Sequence, residues 1–486
     1  MAGRVEVERD KCPVSGAHYF GRSLVDIVLT NSRAQCAVRC RLFDGPSNSR
    51  SVQRESWNGR CPNRGEVGDD KAVRRSITLN PSPFMPVSGA RFTTAILWRW
   101  RAVATLLLAT ESALAQSVGV RTVVLPVPSG PFAVGYRRDE VADPARMLTR
   151  GSSRGMRRRL VLHFWYPSGD ARGARTMPYM NDTLASTWAA SHGLPGNFQH
   201  GIRTHVVPDA PLADSGGAWP VLLFSHGRSW PVQTYQIMLT DLASRGWLVV
   251  AISHPGEEAL TSYADGSAVL FDQEAWSDAA GEARVLGREI DEVVTDAEFA
   301  LTHLGRWNGS KASPWYGRID LRRVGYFGHS LGGSAAAVAL TRVSGVKAAA
   351  ALEGVVHDSS LRRLLVNRPL LTMIGGYNDA ELSWRDYRPG PDGVVFEASV
   401  RGAWHASFAD LLLVYRAYAA RGWLARHRRE LDPARVNQIV TDYLDAFFRR
   451  YLFGTPALLL RPYSSAERGD YETSGYPEVL LRVSVP

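Results

Sequence analysis

Cysteine is nearly missing from this chain: Cys12, Cys36, Cys40 and Cys61 are its four, and none follows Cys61. That excludes a disulfide scaffold for everything downstream. Cys36 and Cys40 are not followed by a second Cys/His pair at finger-like spacing, so no zinc site is expected either. A run of 18 uninterrupted apolar residues is also lacking, which leaves no expected transmembrane helix in the mature protein. The net charge of +10 invites a nucleic-acid reading that its distribution does not support. Residues 1–115 hold 17 Lys and Arg against 10 Asp and Glu, and the remainder holds 40 against 37. There is no basic stripe with interleaved aromatics, and no nucleic-acid partner is expected. Apolar residues are plentiful: 45% of the 486 residues are hydrophobic and 21% charged, enough for a large core.

The segment from Met85 reads as the beginning of a protein. Arg91, Arg99 and Arg101 supply a basic stretch without acids, Ala102 to Ala109 is a short apolar run, and Ala113-Leu114-Ala115 precedes Gln116. Basic, apolar and small-residue regions in that order describe a secretory signal peptide over 85–115, cleaved near Ala115, and a secreted or periplasmic product. A buried helix is the simpler alternative. Residues 1–84 carry no sustained period of 2 or 3.6 and are rich in Arg, Ser, Asn and Gly, so they are expected to be a disordered or mis-assigned extension: leader translated from an upstream start codon, or else an interaction arm.

From Val118 onward strands and helices alternate. Thr122 to Pro126, Arg159 to Tyr166, Pro220 to Ser225, Trp247 to Ser253, Arg323 to Phe327, Val346 to Leu352, Pro369 to Ile374 and Val394 to Val400 read as strands. Val232 to Arg245, Glu282 to Leu304, Ser334 to Leu340 and Pro433 to Phe453 have helical spacing, the last closing at Gly454. Apolar runs alternating with helices predict one α/β domain over 116–486: a doubly wound, mostly parallel sheet with helices on both faces. Residues 170–219 and 255–280 fit no sheet element and are expected to form a cap or substrate wall.

Within this frame one stretch stands out, Val324-Gly325-Tyr326-Phe327-Gly328-His329-Ser330-Leu331-Gly332-Gly333. A G-x-S-x-G pentapeptide between a buried strand and a helix predicts a nucleophile elbow, in which small residues allow a strained turn that presents the Ser330 hydroxyl. By itself the pentapeptide could be a purely structural turn. A serine hydroxyl needs a base, and in this fold the order is Ser, acid, His. Of the histidines after Ser330, His427 lies in an Arg-rich run and His357 is early. His405 follows the last parallel strand through a glycine loop and is the candidate base. The acid is either Glu353, directly after the strand that follows the elbow helix, or Asp379, in Gly375-Gly376-Tyr377-Asn378-Asp379. A carboxylate directly after a buried strand is costly unless partnered, whereas Asp379 could simply serve the turn. The backbone N–H of Leu331 and that of Arg228, in Ser225-His226-Gly227-Arg228-Ser229, are the candidate oxyanion donors. The Arg228 side chain is read as either a surface group or a contact to an anionic part of the substrate.

Several further motifs carry a resemblance. Leu125-Pro126-Val127 through Gly130-Pro131-Phe132-Ala133-Val134-Gly135, Trp165-Tyr166-Pro167-Ser168, Leu223-Phe224-Ser225-His226-Gly227, Asp241-Leu242-Ala243-Ser244-Arg245-Gly246-Trp247 and Trp404-His405-Ala406-Ser407-Phe408-Ala409-Asp410 flank the elbow in order. Together they resemble the plasma, or isoform II, platelet-activating factor acetylhydrolase family of α/β-hydrolases in its bacterial secreted form. The resemblance implies a serine esterase without metal or cofactor. Its expected substrates are short or oxidised acyl esters, including sn-2 acyl groups of phospholipids, with transient contact to a lipid surface. It also implies Glu353 as the acid, since Leu352-Glu353-Gly354 stands where the family has Leu-Asp; the longer side chain is a departure that keeps Asp379 as the alternative. Competing expectations are a general carboxylesterase or polyester hydrolase, and a non-catalytic binding module on the same fold.

Overall fold

Continuous apolar runs can be buried on both faces, and here they build the middle of an eleven-stranded sheet. The computed structural model describes residues 121–486 apart from 170–172, 215, 355–364, 377–386, 419–429 and 462–471, and before them only the strand residues 16–20, 23–32 and 35–43. The chain divides into two units, Met1–Ile96 and Leu97–Pro486.

In the first unit, Gly16–Phe20, Ser23–Ser32 and Gln35–Phe43 form an antiparallel three-stranded sheet in sequence order. These strands lie within the 1–84 segment expected to be a disordered or mis-assigned extension. Val25, Ile27, Val28, Leu29 and Val38 supply strand propensity that the interspersed Asp, Asn and Arg obscured. The segment read as a signal peptide lies outside the described residues.

In the second unit the sheet strands are β1 (Ala133–Met147), β2 (Arg157–Ser168), β3 (Val206–Pro208), β4 (Trp219–Ser225), β5 (Leu248–Ser253), β6 (Ile319–His329), β7 (Ala348–Leu352), β8 (Leu370–Gly375), β9 (Val395–Val400), β10 (Glu472–Ser474) and β11 (Tyr476–Ser484). Their spatial order is β10-β11-β9-β8-β7-β6-β4-β5-β2-β1-β3. From β5 to β9 every neighbouring pair is parallel. Outside this core, β2 joins β5, β1 joins β2 and β11 joins β9 antiparallel.

The expected parallel core is therefore present, with antiparallel margins that the sequence reading did not include. β1 escaped notice because polar and charged residues from Arg137 to Glu140 interrupt its apolar alternation. The 170–219 segment, expected to contribute nothing to the sheet, supplies the short edge strand β3. It also supplies helix α1 (Asp182–His192), whose N-cap Asn181 accepts from the Leu184 N–H and whose Trp188 packs in a separate apolar cluster with Phe198 and Leu411. Residues 255–280 hold a hairpin, Leu260–Ser262 against Ala268–Leu270.

Helices cover both faces, as expected from their spacing. On one side lie α3 (Ala279–Gly309) and α4 (Leu331–Arg342); on the other lie α2 (Gln236–Ser244) and α6 (Pro433–Phe453), with α5 (Leu411–Tyr418) between β9 and α6 in the chain. Leu286, Ile290, Val293, Ala297, Ala300 and Leu304 recur every three or four residues along α3 and bury one stripe against the sheet. α6 runs over the predicted residues, with Asp432 as N-cap, Pro433 in the first turn and Gly454 at φ 74° as the C-terminal stop. No described helix is long and apolar enough to cross a membrane.

Candidate active site

β6 lies at the middle of the sheet and ends at His329, so whatever follows it stands at the centre of the C-terminal edge, where parallel sheets place their sites. Ser330 follows with φ 55° and ψ −117°, a conformation that costs an L-residue about 1–3 kcal/mol. Its N–H donates to the Leu352 carbonyl at 2.8 Å, which ties the elbow to the end of β7. The turn needs glycine at two places because a side chain at Gly328 would run into the Gly332 backbone, and one at Gly332 into the Ser225 carbonyl. α4 then starts at Leu331 with no side-chain cap from Ser330, so its first-turn N–H groups point at the space over the elbow. Ser330 is only half-buried. The geometry is the one expected of a nucleophile elbow.

β4, the parallel neighbour of β6, ends at Ser225 and leads into the His226–Trp230 turn. Its N–H groups are spoken for one by one: Gly227 to Tyr235 Oη at 3.0 Å, Ser229 to the Glu257 carbonyl at 2.7 Å, Trp230 to the Gly227 carbonyl at 3.0 Å. The Arg228 N–H finds no acceptor among the described residues, which suits a donor held ready for an oxyanion. A Cβ built on Gly227 would lie 3.4 Å from Ser330 Cβ, so this turn does face the elbow. The Arg228 guanidinium has a different partner from those considered above. Its Nε and Nη2 make a bidentate pair with buried Glu289 at 2.7 and 3.1 Å, while the group lies 4.7 Å from the Phe271 ring. Glu289 also meets Arg150, so the side chain is part of an internal ion network and braces the turn.

Glu353, directly after β7, takes φ 51° and is buried. A left-handed backbone is uncommon for a residue other than glycine. Glu353 Oε1 accepts from the Gly375 N–H, and its Oε2 lies 3.4 Å from His405 Nδ1. His405 arrives through Gly402, at φ 81°, and begins a short 3-10 turn, His405–Phe408, secured by Trp404 N–H to Ser407 Oγ at 3.0 Å. Its side chain is 43% exposed while that of Glu353 is 1% exposed: a wet imidazole backed by a dry carboxylate. The His405 ring lies 4.6 Å from that of His329, the residue preceding Ser330, so the candidate base is beside the elbow. Trp230 forms an aromatic wall 6.5 Å from the His405 ring. Asp379, His357 and His427 lie outside the described residues.

A second Ser-His-Asp alignment is present that was invisible in the sequence. Ser225 Oγ is 2.8 Å from His254 Nε2, and His254 Nδ1 is 2.8 Å from Asp296 Oδ2. The hydrogen bonds resemble a catalytic triad, but all three residues are fully buried and Ser225 Oγ is also engaged by Tyr326 Oη at 2.7 Å. Burial by itself would raise the Asp296 pKa, yet the Arg158 guanidinium, 2.6 and 2.7 Å from its oxygens, holds it well below the usual carboxylate range. Burial pushes His254 below its ordinary value. This is a sealed polar strut under the oxyanion turn, and accessibility separates it from Ser330 and His405.

Residues 120–284 match the family model described as platelet-activating factor acetylhydrolase, isoform II, a span that contains the oxyanion turn and stops before the elbow. A probable 1-alkyl-2-acetylglycerophosphocholine esterase of Arthroderma benhamiae is 25% identical over 402 residues, covering 76% of this chain and 96% of that protein. A platelet-activating factor acetylhydrolase of Cavia porcellus is 23% identical over 381 residues, covering 70% of this chain and 80% of the relative. In fold, the chain is similar to a ferulic acid esterase from Streptomyces cinnamoneus, with TM-score 0.58 and 24% identity over 73% of this chain and 98% of the other. The chain is a carboxylic ester hydrolase built on an α/β-hydrolase fold, and it is similar to the isoform II platelet-activating factor acetylhydrolases.

Proposed function

We propose that this enzyme removes short or oxidised acyl groups from the sn-2 position of phospholipids through an acyl-enzyme on Ser330. His405 takes the Ser330 proton as the hydroxyl attacks the ester carbonyl, and returns it to the leaving alcohol oxygen. A water molecule, deprotonated by the same imidazole, then releases the carboxylic acid. Glu353 orients His405 and stabilises its charged form, while the N–H groups of Arg228 and Leu331 hold the oxyanion. The reading is carried by one observation: a half-exposed histidine beside the elbow serine, with a buried carboxylate 3.4 Å behind it. Its substrate class is supported by the name of the Arthroderma benhamiae relative. The proposal extends to a secreted or periplasmic enzyme, its signal peptide beginning at Met85 and cleaved near Ala115, that meets its substrate at a lipid surface.

The test is hydrolysis of phospholipids with graded sn-2 chains alongside p-nitrophenyl acetate and octanoate, using the wild type and Ser330→Ala. Acetyl and short oxidised chains are expected to be preferred, and the variant to be inactive. Equal rates on all phospholipids and simple esters would favour the general carboxylesterase. Activity surviving in Ser330→Ala would remove the mechanism. A mature N-terminus mapped away from Gln116 would remove the proposed cleavage.

A further inference from the structure

Three separate pieces must meet over Ser330: the oxyanion turn after β4, the elbow after β6 and the His405 turn after β9. The sheet fixes where each strand ends, but not the path of the loops beyond. Two residues without an assigned role join all three. The Gly227 N–H donates to Tyr235 Oη at 3.0 Å, Tyr235 Oη is 2.9 Å from His329 Nδ1, and His329 Nε2 is 2.9 Å from the His405 carbonyl oxygen.

Elementary bookkeeping of protons gives this chain a single direction. A carbonyl oxygen has no proton, so His329 Nε2 must carry one and donate it to His405. In the neutral ring Nδ1 then accepts, and among the described residues only the Tyr235 hydroxyl is there to donate. The hydroxyl oxygen is thereby free to accept from Gly227. Tyr235 and His329 are both fully buried. Burial holds the Tyr235 phenol well above its ordinary value and the His329 imidazole well below, so neither changes charge over the working range.

We propose that Tyr235 and His329 are positioning residues for ester hydrolysis, forming a one-way hydrogen-bond chain that holds the oxyanion turn and the catalytic base in register across the elbow. The inference rests on the reading of Ser330, His405 and Glu353 as the catalytic set. Both residues are also wedged by their neighbours: Tyr235 lies 4.8 Å from Phe224, and His329 lies 5.3 Å from Trp230 and 4.6 Å from His405. Displacement of a base or an oxyanion donor by a fraction of an ångström acts on the transition state rather than on substrate binding, so the expected signature is a loss in kcat at unchanged KM.

Two amide substitutions separate the two ends of the ring. In His329→Asn the side-chain oxygen takes the place of Nδ1 and still accepts from Tyr235, but nothing reaches the His405 carbonyl. In His329→Gln the longer amide places its NH2 where Nε2 stands and restores that donor. Each is assayed on p-nitrophenyl acetate per active site, titrated with a fluorophosphonate. His329→Asn is expected to lower kcat on the order of 10- to 100-fold with KM unchanged, and His329→Gln to stay at least tenfold above it. Tyr235→Phe, which releases Gly227 while keeping the ring, is expected to lower kcat similarly, and it decides the matter if either His329 variant fails to fold. Equal kcat in His329→Asn and His329→Gln, or a Tyr235→Phe enzyme whose melting temperature falls while kcat per titrated site does not, would overturn the inference. The site of the fluorophosphonate adduct, read by mass spectrometry, separates this from the underlying reading: an adduct away from Ser330 refutes the catalytic set itself, whatever the His329 variants do.

Discussion

Replacing Glu353 by glutamine changes the charge of one buried group with almost no change of shape, and the surrounding hydrogen bonds say which way the amide must turn. Oε1 of Glu353 accepts from the Gly375 N–H, and Oε2 faces His405 Nδ1. In Glu353→Gln the Gly375 N–H claims the amide oxygen, so the NH2 is turned to His405. An NH2 does not accept, so Nδ1 must give up its proton to Nε2, the nitrogen that should receive the Ser330 proton. The opposite amide orientation would set two N–H donors face to face in a buried site, at about 1–3 kcal/mol, which limits the working tautomer to roughly one part in 5 to 150. Losing the carboxylate's hold on the charged imidazole adds roughly another tenfold or more, as expected for a hydrogen bond to a charged group. The expected loss in kcat is on the order of 100- to 10,000-fold, about 3–5 kcal/mol of barrier, with KM little changed. Steady-state hydrolysis of p-nitrophenyl acetate measures it, with a thermal melt to confirm that the variant is folded. The reasoning is refuted if Glu353→Gln retains kcat within threefold of the wild type, or if Asp379→Asn loses more.

Ser330→Gly is expected to abolish hydrolysis while stabilising the fold by about 1–3 kcal/mol, because glycine tolerates φ 55° and ψ −117° without strain; an unchanged or lower melting temperature would contradict the strain. Acid should weaken the fold well before the carboxylates titrate. Burial depresses His163 to about 3 and His226 to about 4, against 6.5 when unfolded, so between those values the unfolded chain binds more protons and stability falls as pH falls. At pH 5.5 each contributes a loss of about 1.4 kcal/mol relative to pH 7.5, near 3 kcal/mol together, and chemical denaturation at the two pH values with no difference in stability would refute it.

The local signals in this chain were of two kinds. Apolar runs such as Leu222 to Phe224 and Val249 to Ile252 are strands in any context that buries both faces, and the glycines around Ser330 serve only a tight strand-to-helix turn. The central sheet, the position of the elbow and the candidates Ser330, His405, Arg228 and Leu331 were legible for that reason, whereas the choice of Glu353 over Asp379 came from the family resemblance. β1 was not, because a margin strand with a half-wet face carries Arg137, Arg138, Asp139 and Glu140 in place of an apolar pattern.

By itself the sequence determined the order of elements and the chemical types at the strand ends, since both depend on periodicity, turn residues and side-chain chemistry that neighbours in the chain express. Only the tertiary structure decided which groups share a proton. The Arg228 guanidinium pairs with Glu289, 61 positions away, His405 backs onto Glu353 across 52, and Ser225, His254 and Asp296 close into a sealed triad-like strut. Hydrogen bonds act over about 3 Å in space, a distance that spacing along the chain does not encode.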